Sequence, residues 1–598
     1  MPDSAVPSAP AAALPVVGSP RRAVNATARL ELLVLALVIA AQLLPLLLLP
    51  YIPTQDGPSH QALAYALRVY DRPEGAPLRQ YLMRNDEALP NWFVFFLQAK
   101  VLAFLSVNAA EKVLVAAYVV LLPLGLRYAL RGVDAGAGFL AALGLPFTYN
   151  FLFGMGFLNF CWSLAAFLFA FGFYLRRRER FRARHVLPLA LLTVWVYFCH
   201  PVSLVMLVLA VAALGACQVL GDVRVVNGTA ALASGGPSGG LDGGRSGGPS
   251  GRPAGGLGEV AGVWWRVARE RLVLPLASLA PALVLLAMFV GRRLDRPTSH
   301  LTFVVKAKQL LALYSLVSFD RRLLLVACGL AAVIATLAGL LLWRRRSEGS
   351  LRPRAEDALL AVAALFALVY LAAPSELAGG GFVNHRLALF PPLAFLLWLG
   401  GARWGSRTRL AAQLLGAALA LAMLAMLWAR WSEIDRYLDE YVAVADRIED
   451  GSTVLPLGFA PAGVAVGPDG ERRQLAFRLW PFVHALGYVA GRRPIVDLGL
   501  YEAGEDYFPL RYRPELDPYR HLSIGPVGME EVPPRVDIPG YERRGGRVDY
   551  VLLWQPRVAP STHAGVDELY RQLERGFERI HVSSAGNAEL WRRAQRPR

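Results

Sequence analysis

The chain alternates long apolar runs with short polar loops over roughly its first 430 residues. Runs such as 30–50, 323–342 and 410–428 are each long enough to cross a hydrocarbon core of about 30 Å as a helix. After Arg430 charged residues become frequent, and short strand-like segments replace the long apolar runs. The pattern predicts a mainly α polytopic membrane protein that ends in a small α/β domain.

Arginine-rich loops give a test of the number of crossings, because each crossing reverses the side of every later loop. The segment 91–104 has Lys100 in its middle, and its crossing would put the arginine cluster at 176–185 outside. We therefore predict a juxtamembrane helix there, within an outer loop at 51–112. Eleven crossings remain: 30–50, 113–131, 136–152, 157–175, 186–199, 201–220, 271–290, 323–342, 357–373, 387–401 and 410–429.

This count divides the chain into three parts. Residues 1–29 are rich in Pro and Ala, which favours a disordered cytoplasmic N-terminus. The membrane domain spans 30–429, contains a flexible Gly/Ser/Pro-rich cytoplasmic linker at 222–260, and leaves the membrane placement of 291–322 open. The α/β domain spans 430–598 and is expected on the extracytoplasmic face of the plasma (inner) membrane.

Composition agrees with a membrane protein and argues against nucleic-acid binding. The chain is 55% hydrophobic, and its net charge of +17 comes almost entirely from arginine. Many of these arginines lie in short loops between apolar runs, so membrane topology explains them. We find no phosphate-binding glycine loop between a strand and a helix, so an ATP-driven or nucleotide-sugar mechanism has no support.

Polar residues near the ends of the predicted spans gather on one side. Ionisable groups near a bilayer are costly unless they face a cavity or a partner, so this distribution predicts a shared polar cavity on the outer side. The simpler alternative is that loops are polar wherever they occur. The residues on that side are Asp56, His60, Asn150, Asn159, His200, Glu376, Asn384, His385 and Arg386.

The order of these features resembles that of the integral-membrane type C glycosyltransferases. A first span is followed by an acidic residue early in the first outer loop, a juxtamembrane helix, many short spans and an outer C-terminal domain. The segment "PTQDGPSH" stands where that family has its acidic loop motif, which is commonly a pair of acidic residues; here Asp56 stands alone. The resemblance implies transfer, with inversion, of a sugar from a polyprenyl-phosphate donor.

Such chemistry gives the candidate residues roles. One carboxylate must accept the proton of the attacking hydroxyl, and Asp56 is the candidate base. Arg386 and His385 would bind the leaving phosphate, and Glu376 would contact the substrate. Alternatives stay open: Asp56 as a helix cap, Arg386 extending to the interface, and Glu376 as an ordinary loop residue.

His60 follows Asp56 by four residues and shares its face if Pro58 starts a helix. It is expected to orient Asp56, or to join His200 and Glu376 around a divalent cation such as Mg²⁺ or Mn²⁺. The spacing of these residues is too open to define a metal site, so no cofactor is assigned.

The sequence thus predicts a membrane glycosyltransferase whose partners are the bilayer, a polyprenyl-phosphate-linked sugar and an acceptor glycan, lipid or protein. Two rivals remain. A transporter or flippase would use the same polar residues as a path, although no clear internal repeat is visible. A non-catalytic membrane scaffold would bind a partner through its outer domain.

Overall fold

The computed structural model describes residues 20–87, 89–234, 257–291, 299–349, 354–377, 380–460, 463–466, 470–525, 528–558 and 564–595. It is mostly helical, with a small sheet region near the C-terminus, which confirms the mainly helical part of the predicted class. The first helices are α1 (Pro20–Leu48), α2 (Gly57–Val69), α3 (Ala76–Tyr81), α4 (Phe93–Phe96), α5 (Val107–Val133), α6 (Phe151–Gly154), α7 (Leu158–Leu175), α8 (Val186–Cys199) and α9 (Pro201–Ser234). The next are α10 (Leu257–Ala268), α11 (Leu274–Ala277), α12 (Ala280–Val290), α13 (Phe303–Leu311), α14 (Leu323–Ser347), α15 (Asp357–Ala372), α16 (Val383–Leu387), α17 (Phe390–Gly400) and α18 (Ser406–Ala445).

Within the described ranges, seven helical segments are long and apolar enough to cross a membrane unaided, or eight if a pair bent by 47° counts as one span. The bent pair joins Trp264–Ala277 to Ala280–Val290. The predicted crossings at 186–199, 357–373 and 387–401 are helical but short, so the count of eleven stays a prediction. The seven are Arg29–Leu48, Val107–Val133, Ala137–Gly154, Leu158–Leu175, Pro201–Asp222, Leu323–Ser347 and Ser406–Ala445.

Three predicted boundaries differ from the structure. Helix α1 begins at Pro20, so the predicted disordered N-terminus reaches no further than residue 19, and residues 1–19 lie outside the described ranges. Helix α9 continues to Ser234, because the dense Gly/Ser/Pro composition of the predicted linker starts only at Gly235. Residues 235–256 of that linker are likewise not described, and its last residues, 257–260, belong to helix α10. Helix α18 runs unbroken through the predicted boundary at 430.

The C-terminal region forms a five-stranded mixed sheet in the order β5-β2-β7-β9-β8. Strand β2 is parallel to both β5 and β7, whereas β9 pairs antiparallel with β7 and β8. Strands β8 and β9 form a hairpin that turns at Gly586, whose φ is +71°. The strands are β1 (Leu82–Arg84), β2 (Thr453–Gly458), β3 (Val464–Val466), β4 (Arg472–Gln474), β5 (Val496–Asp497), β6 (Leu510–Tyr512), β7 (Tyr550–Trp554), β8 (Phe577–Val582) and β9 (Ala588–Arg593). The short helices of this region are α19 (Gly487–Ala490), α20 (Pro518–His521), α21 (Ile538–Arg543) and α22 (Ala564–Gly576).

The loop after α1 folds against the C-terminal domain. Strand β1 of this loop pairs antiparallel with β6 of the domain. Helix α2 packs against α19 so closely that a Cβ at Gly487 would lie 2.1 Å from the Pro58 carbonyl oxygen. The loop therefore brings the start of α2 into direct contact with the domain, which positions the site described next.

Candidate functional site

A cavity of about 530 Å³ lies where the loop after α1, the apolar helices and the C-terminal domain meet. Asp56 and His60 from the loop, and Asn159, His200 and Arg386 from the helical region, all line it. Five side chains of the predicted outer set therefore share one cavity. The C-terminal domain adds further polar lining residues: His484, Tyr501, Glu505, Tyr507 and Glu530.

Asp56 is held by the backbone of the turn between α6 and α7. Its amide donates to the Met155 carbonyl at 2.9 Å, and the Gln55 amide donates to the Gly154 carbonyl at 3.0 Å. Gly156 adopts a φ of +86°, and a Cβ there would lie 2.5 Å from the Gly57 nitrogen. Only glycine fits this conformation and this approach without strain, so the "GMG" sequence fixes the position of Asp56.

The Asp56 carboxylate does not cap helix α2, although the residue stands at the cap position. Its Oδ2 instead accepts a hydrogen bond of 2.9 Å from the Tyr501 hydroxyl. Its buried Oδ1 has no hydrogen-bond partner among the described residues, and the nearest ionisable nitrogen, His484 Nε2, is 3.9 Å away. Asp56 thus lines the cavity and keeps one buried carboxylate oxygen without a hydrogen-bond partner among the described residues.

Burial shifts the pKa values of both Asp56 and His484. Desolvation raises the pKa of Asp56 to about 7, and the hydrogen bond from Tyr501 opposes the shift because it favours the ionised form. Burial lowers the pKa of His484 to about 3, so its ring is neutral at physiological pH. Asp56 therefore titrates near neutrality, where a general base works best.

A second buried carboxyl group contacts the first turn of helix α2, which begins next to Asp56. Glu502 is fully buried, receives a 2.5 Å hydrogen bond from the Ser59 hydroxyl, and has Oε1 3.3 Å from His60 Nε2. Burial raises the pKa of Glu502 well above its usual range and lowers the pKa of His60 to about 4, because desolvation disfavours the charged form of each group. His60 therefore contacts Glu502 and supports the start of α2; it does not contact the Asp56 carboxylate directly.

Arg386 brings positive charge to the cavity. Its guanidinium donates to the Gly381 carbonyl and lies 4.7 Å from the centre of the Phe157 ring. Its buried Nε has no hydrogen-bond partner among the described residues. The side chain thus lines the cavity and keeps one buried donor without a partner, which is a different arrangement from extension to the membrane interface.

Apolar side chains of three helices complete the cavity wall. They come from α9, α12 and α15, all within the apolar part of the chain. A cavity that combines such a wall with one carboxylate and one guanidinium suits an amphipathic ligand. The residues are Val202, Val205, Leu286, Phe289, Val290 and Val369.

The remaining predicted residues have other surroundings. His385 does not line the cavity; its two ring nitrogens contact Asn384 at 3.0 Å and Arg478 at 2.7 Å. Glu376 is exposed and does not line the cavity either. Neither position favours the substrate contact that the sequence predicted, because both ring nitrogens of His385 already have partners and Glu376 is not among the residues that line the cavity.

The expected grouping of His60, His200 and Glu376 around a cation does not form. Both histidines line the cavity, but the His200 Nδ1 accepts from the Val202 amide at 3.2 Å, and Glu376 lies elsewhere. In the described part of the chain, no three His, Cys, Asp or Glu side chains are placed to hold a metal ion.

Two asparagines of the predicted outer set have structural roles. The Asn150 side chain caps helix α6 by accepting from the Leu152 amide at 2.9 Å. The Asn159 side chain accepts from the Val94 amide at 2.8 Å and so holds helix α4 against α7. A structural role accounts for Asn150, whereas Asn159 combines such a role with a place in the cavity lining.

Sequence reasoning missed the residues of the C-terminal domain that complete the site. Tyr501 and Glu502 directly follow the strand-like segment "RPIVDLGL" at 493–500. Ligands of open α/β sheets bind beyond the carboxyl ends of parallel strands, so this position carried a usable signal. His484 and Glu530 lie in irregular segments for which the sequence offers no comparable indication.

Comparison with protein-family models and with curated proteins gives no match for this chain. The functional argument therefore rests on the geometry of the cavity.

Proposed function

We propose that this protein is a membrane glycosyltransferase that moves a sugar from a polyprenyl-phosphate donor to a hydroxyl-bearing acceptor. The observation that carries the proposal is a single cavity lined by Asp56, Arg386 and apolar helices, where one oxygen of the Asp56 carboxylate has no hydrogen-bond partner among the described residues. A base, a cationic group and an apolar wall are the three elements that this reaction needs in one place.

In the proposed reaction the acceptor hydroxyl gives its proton to Asp56 as its oxygen attacks the anomeric carbon. The bond from that carbon to the phosphate oxygen breaks, and its electron pair leaves with the phosphate. Arg386 stabilises the charge that grows on the phosphate. The apolar side chains of α9, α12 and α15 accommodate the first prenyl units. Attack opposite to the leaving group inverts the anomeric configuration.

The proposal includes a topology. We propose eleven crossings, a cytoplasmic N-terminus, and an extracytoplasmic site and C-terminal domain in the plasma membrane. Reporter tags at Arg178 and at the C-terminus must then lie on opposite sides, because Arg178 belongs to an arginine cluster assigned to the cytoplasm. Tags that report the same side would refute this span count.

The decisive assay compares wild-type protein with Asp56→Asn in lipid nanodiscs. A panel of radiolabelled polyprenyl-phosphate hexoses and pentoses is supplied, and release of polyprenyl phosphate is measured. Asp71→Asn is the matched control, since the Asp71 carboxylate is largely exposed and pairs with Arg84 away from the cavity. Because general-base catalysis typically contributes about 10²- to 10⁴-fold, the Asp56 variant should lose at least about 100-fold.

Three outcomes separate the candidates. Loss of release in the Asp56 variant, with the Asp71 variant unchanged, supports transfer with Asp56 as base. Full activity of a well-folded Asp56 variant removes this residue from the mechanism. No release by the wild type from any donor rejects the glycosyltransferase; passage of an intact fluorescent donor across liposomes containing the protein would then support a flippase.

A further inference from the structure

A second, much smaller chamber of about 20 Å³ adjoins the main cavity. His484 and Glu530 line both spaces, so these two side chains form the wall between them. Gly458, Gly499 and Tyr519 line the chamber but not the main cavity. A space of this size holds about one water-sized group. The chamber can therefore take a single hydroxyl, and it is too small for a ring or a lipid chain.

The chamber lies at a favoured binding position of its fold. Gly458 ends strand β2 and Gly499 follows β5, so the chamber is at the carboxyl ends of two parallel strands. Strand β2 also has a parallel neighbour, β7, on its other side. Open α/β sheets bind ligands beyond such carboxyl ends, where connections leave a strand in opposite directions.

The surroundings of the Asp56 carboxylate indicate on which side of the main cavity the acceptor binds. Tyr501 binds Oδ2, so only Oδ1 is available to take a proton. His484 Nε2 lies 3.9 Å from Oδ1, which places the reacting hydroxyl beside the wall shared with the chamber. The apolar residues suited to a lipid chain belong instead to the membrane helices.

We propose that the chamber receives a second hydroxyl of the acceptor, next to the one that reacts, and that the acceptor is therefore a polyol or a sugar. This inference rests on the proposed function. Glu530 is the residue that contacts the second hydroxyl, and Tyr519 orients it, since the Tyr519 hydroxyl lies 3.2 Å from Glu530 Oε1 and 3.1 Å from the Gly499 carbonyl. The second hydroxyl keeps its proton and only positions the acceptor.

The test measures how the donor sugar is divided between a polyol and water. Nanodisc protein is given the donor found active in the panel, with glycerol, α-methyl mannoside or α-methyl glucoside as acceptor probes. The ratio of glycosylated probe to free sugar is recorded at a fixed probe concentration. Both products come from the same active molecules, so this ratio does not depend on the folded fraction of a variant.

Glu530→Leu removes the contact and should lower the ratio at least about tenfold, the effect expected from losing a hydrogen bond to a charged or strongly polar group. Glu530→Gln keeps an acceptor oxygen and should stay within about threefold of wild type. Glu531→Leu is the matched control, because Glu531 pairs with Arg535 and does not line either space.

The outcomes distinguish this inference from the function on which it rests. An unchanged ratio in Glu530→Leu, or an equal fall in Glu531→Leu, refutes the proposed role of the chamber but leaves the proposed sugar transfer intact. A wild type that hydrolyses the donor but glycosylates none of the probes overturns the polyol acceptor. A wild type that uses no donor refutes the proposed function, and the chamber's role with it.

Discussion

The hydrogen bond from Tyr501 to Asp56 makes a quantitative prediction. Tyr501→Phe removes a donor that lies 2.9 Å from Oδ2 and that favours the ionised carboxylate. Hydrogen bonds to charged groups contribute about 1.5–3 kcal/mol, and about 1.4 kcal/mol corresponds to one pKa unit. The pKa of Asp56, about 7 in the wild type, should therefore rise by roughly one to two units.

The rise has a defined effect on rate. A general base acts when ionised, so activity should increase with pH through the pKa of Asp56. At pH 7 about half of the wild-type carboxylate is ionised, whereas a pKa higher by roughly one to two units leaves about 1–9% ionised. The Tyr501→Phe variant should thus be roughly 5- to 50-fold slower at pH 7 and should approach the wild-type rate above about pH 9.

The measurement is a profile of kcat/KM for donor consumption from about pH 5.5 to 10 in nanodiscs. Tyr570→Phe serves as control, because Tyr570 lies in α22, outside the cavity, and its hydroxyl faces Glu589. A uniform loss at every pH, without a shifted midpoint, would refute the argument. So would a profile that superimposes on the wild type.

Three further predictions concern Gly156 beside the loop, Arg386 in the cavity and the buried carboxyl group of Asp497 in strand β5. Gly156→Ala places a Cβ 2.5 Å from the Gly57 nitrogen at a φ of +86° and should destabilise the protein by about 1–3 kcal/mol, seen as a lower unfolding temperature together with lost activity. Arg386→Lys removes the planar fork and should raise the KM for the donor about tenfold, whereas Arg84→Lys on the surface should leave KM unchanged. Burial raises the pKa of Asp497 to about 7, so the folded state keeps a proton that the unfolded state loses above about pH 4. Stability should fall by roughly 1.4 kcal/mol per pH unit between those values, and Asp497→Asn, which mimics the neutral acid, should reduce the fall in unfolding temperature from pH 5 to pH 8.

The sequence predicts those parts of the candidate site that follow from the energetic cost of polar groups near a bilayer and from the order of the loops and spans. Asp56, His200 and Arg386 were grouped because each stands at the same end of a predicted span, and the structure places all three on one cavity. The same reasoning also selected Glu376 and His385, which lie outside the cavity. Position along a span fixes depth but leaves the direction of a side chain open, and direction separates these residues.

The sequence by itself determined the helical class and the apolar segments, because 3.6-residue periodicity and run length are local properties that burial in lipid enforces. It also determined that Asp56 would follow the first apolar helix. Only the tertiary structure decided what surrounds that carboxylate. Tyr501, His484 and Glu502 lie more than 400 positions away in the chain, and they reach Asp56 because the loop after α1 pairs with the C-terminal domain through β1 and β6. Such long-range pairing depends on packing between surfaces that no local pattern encodes, so the chemistry of the site emerged only when the two ends of the chain were brought together.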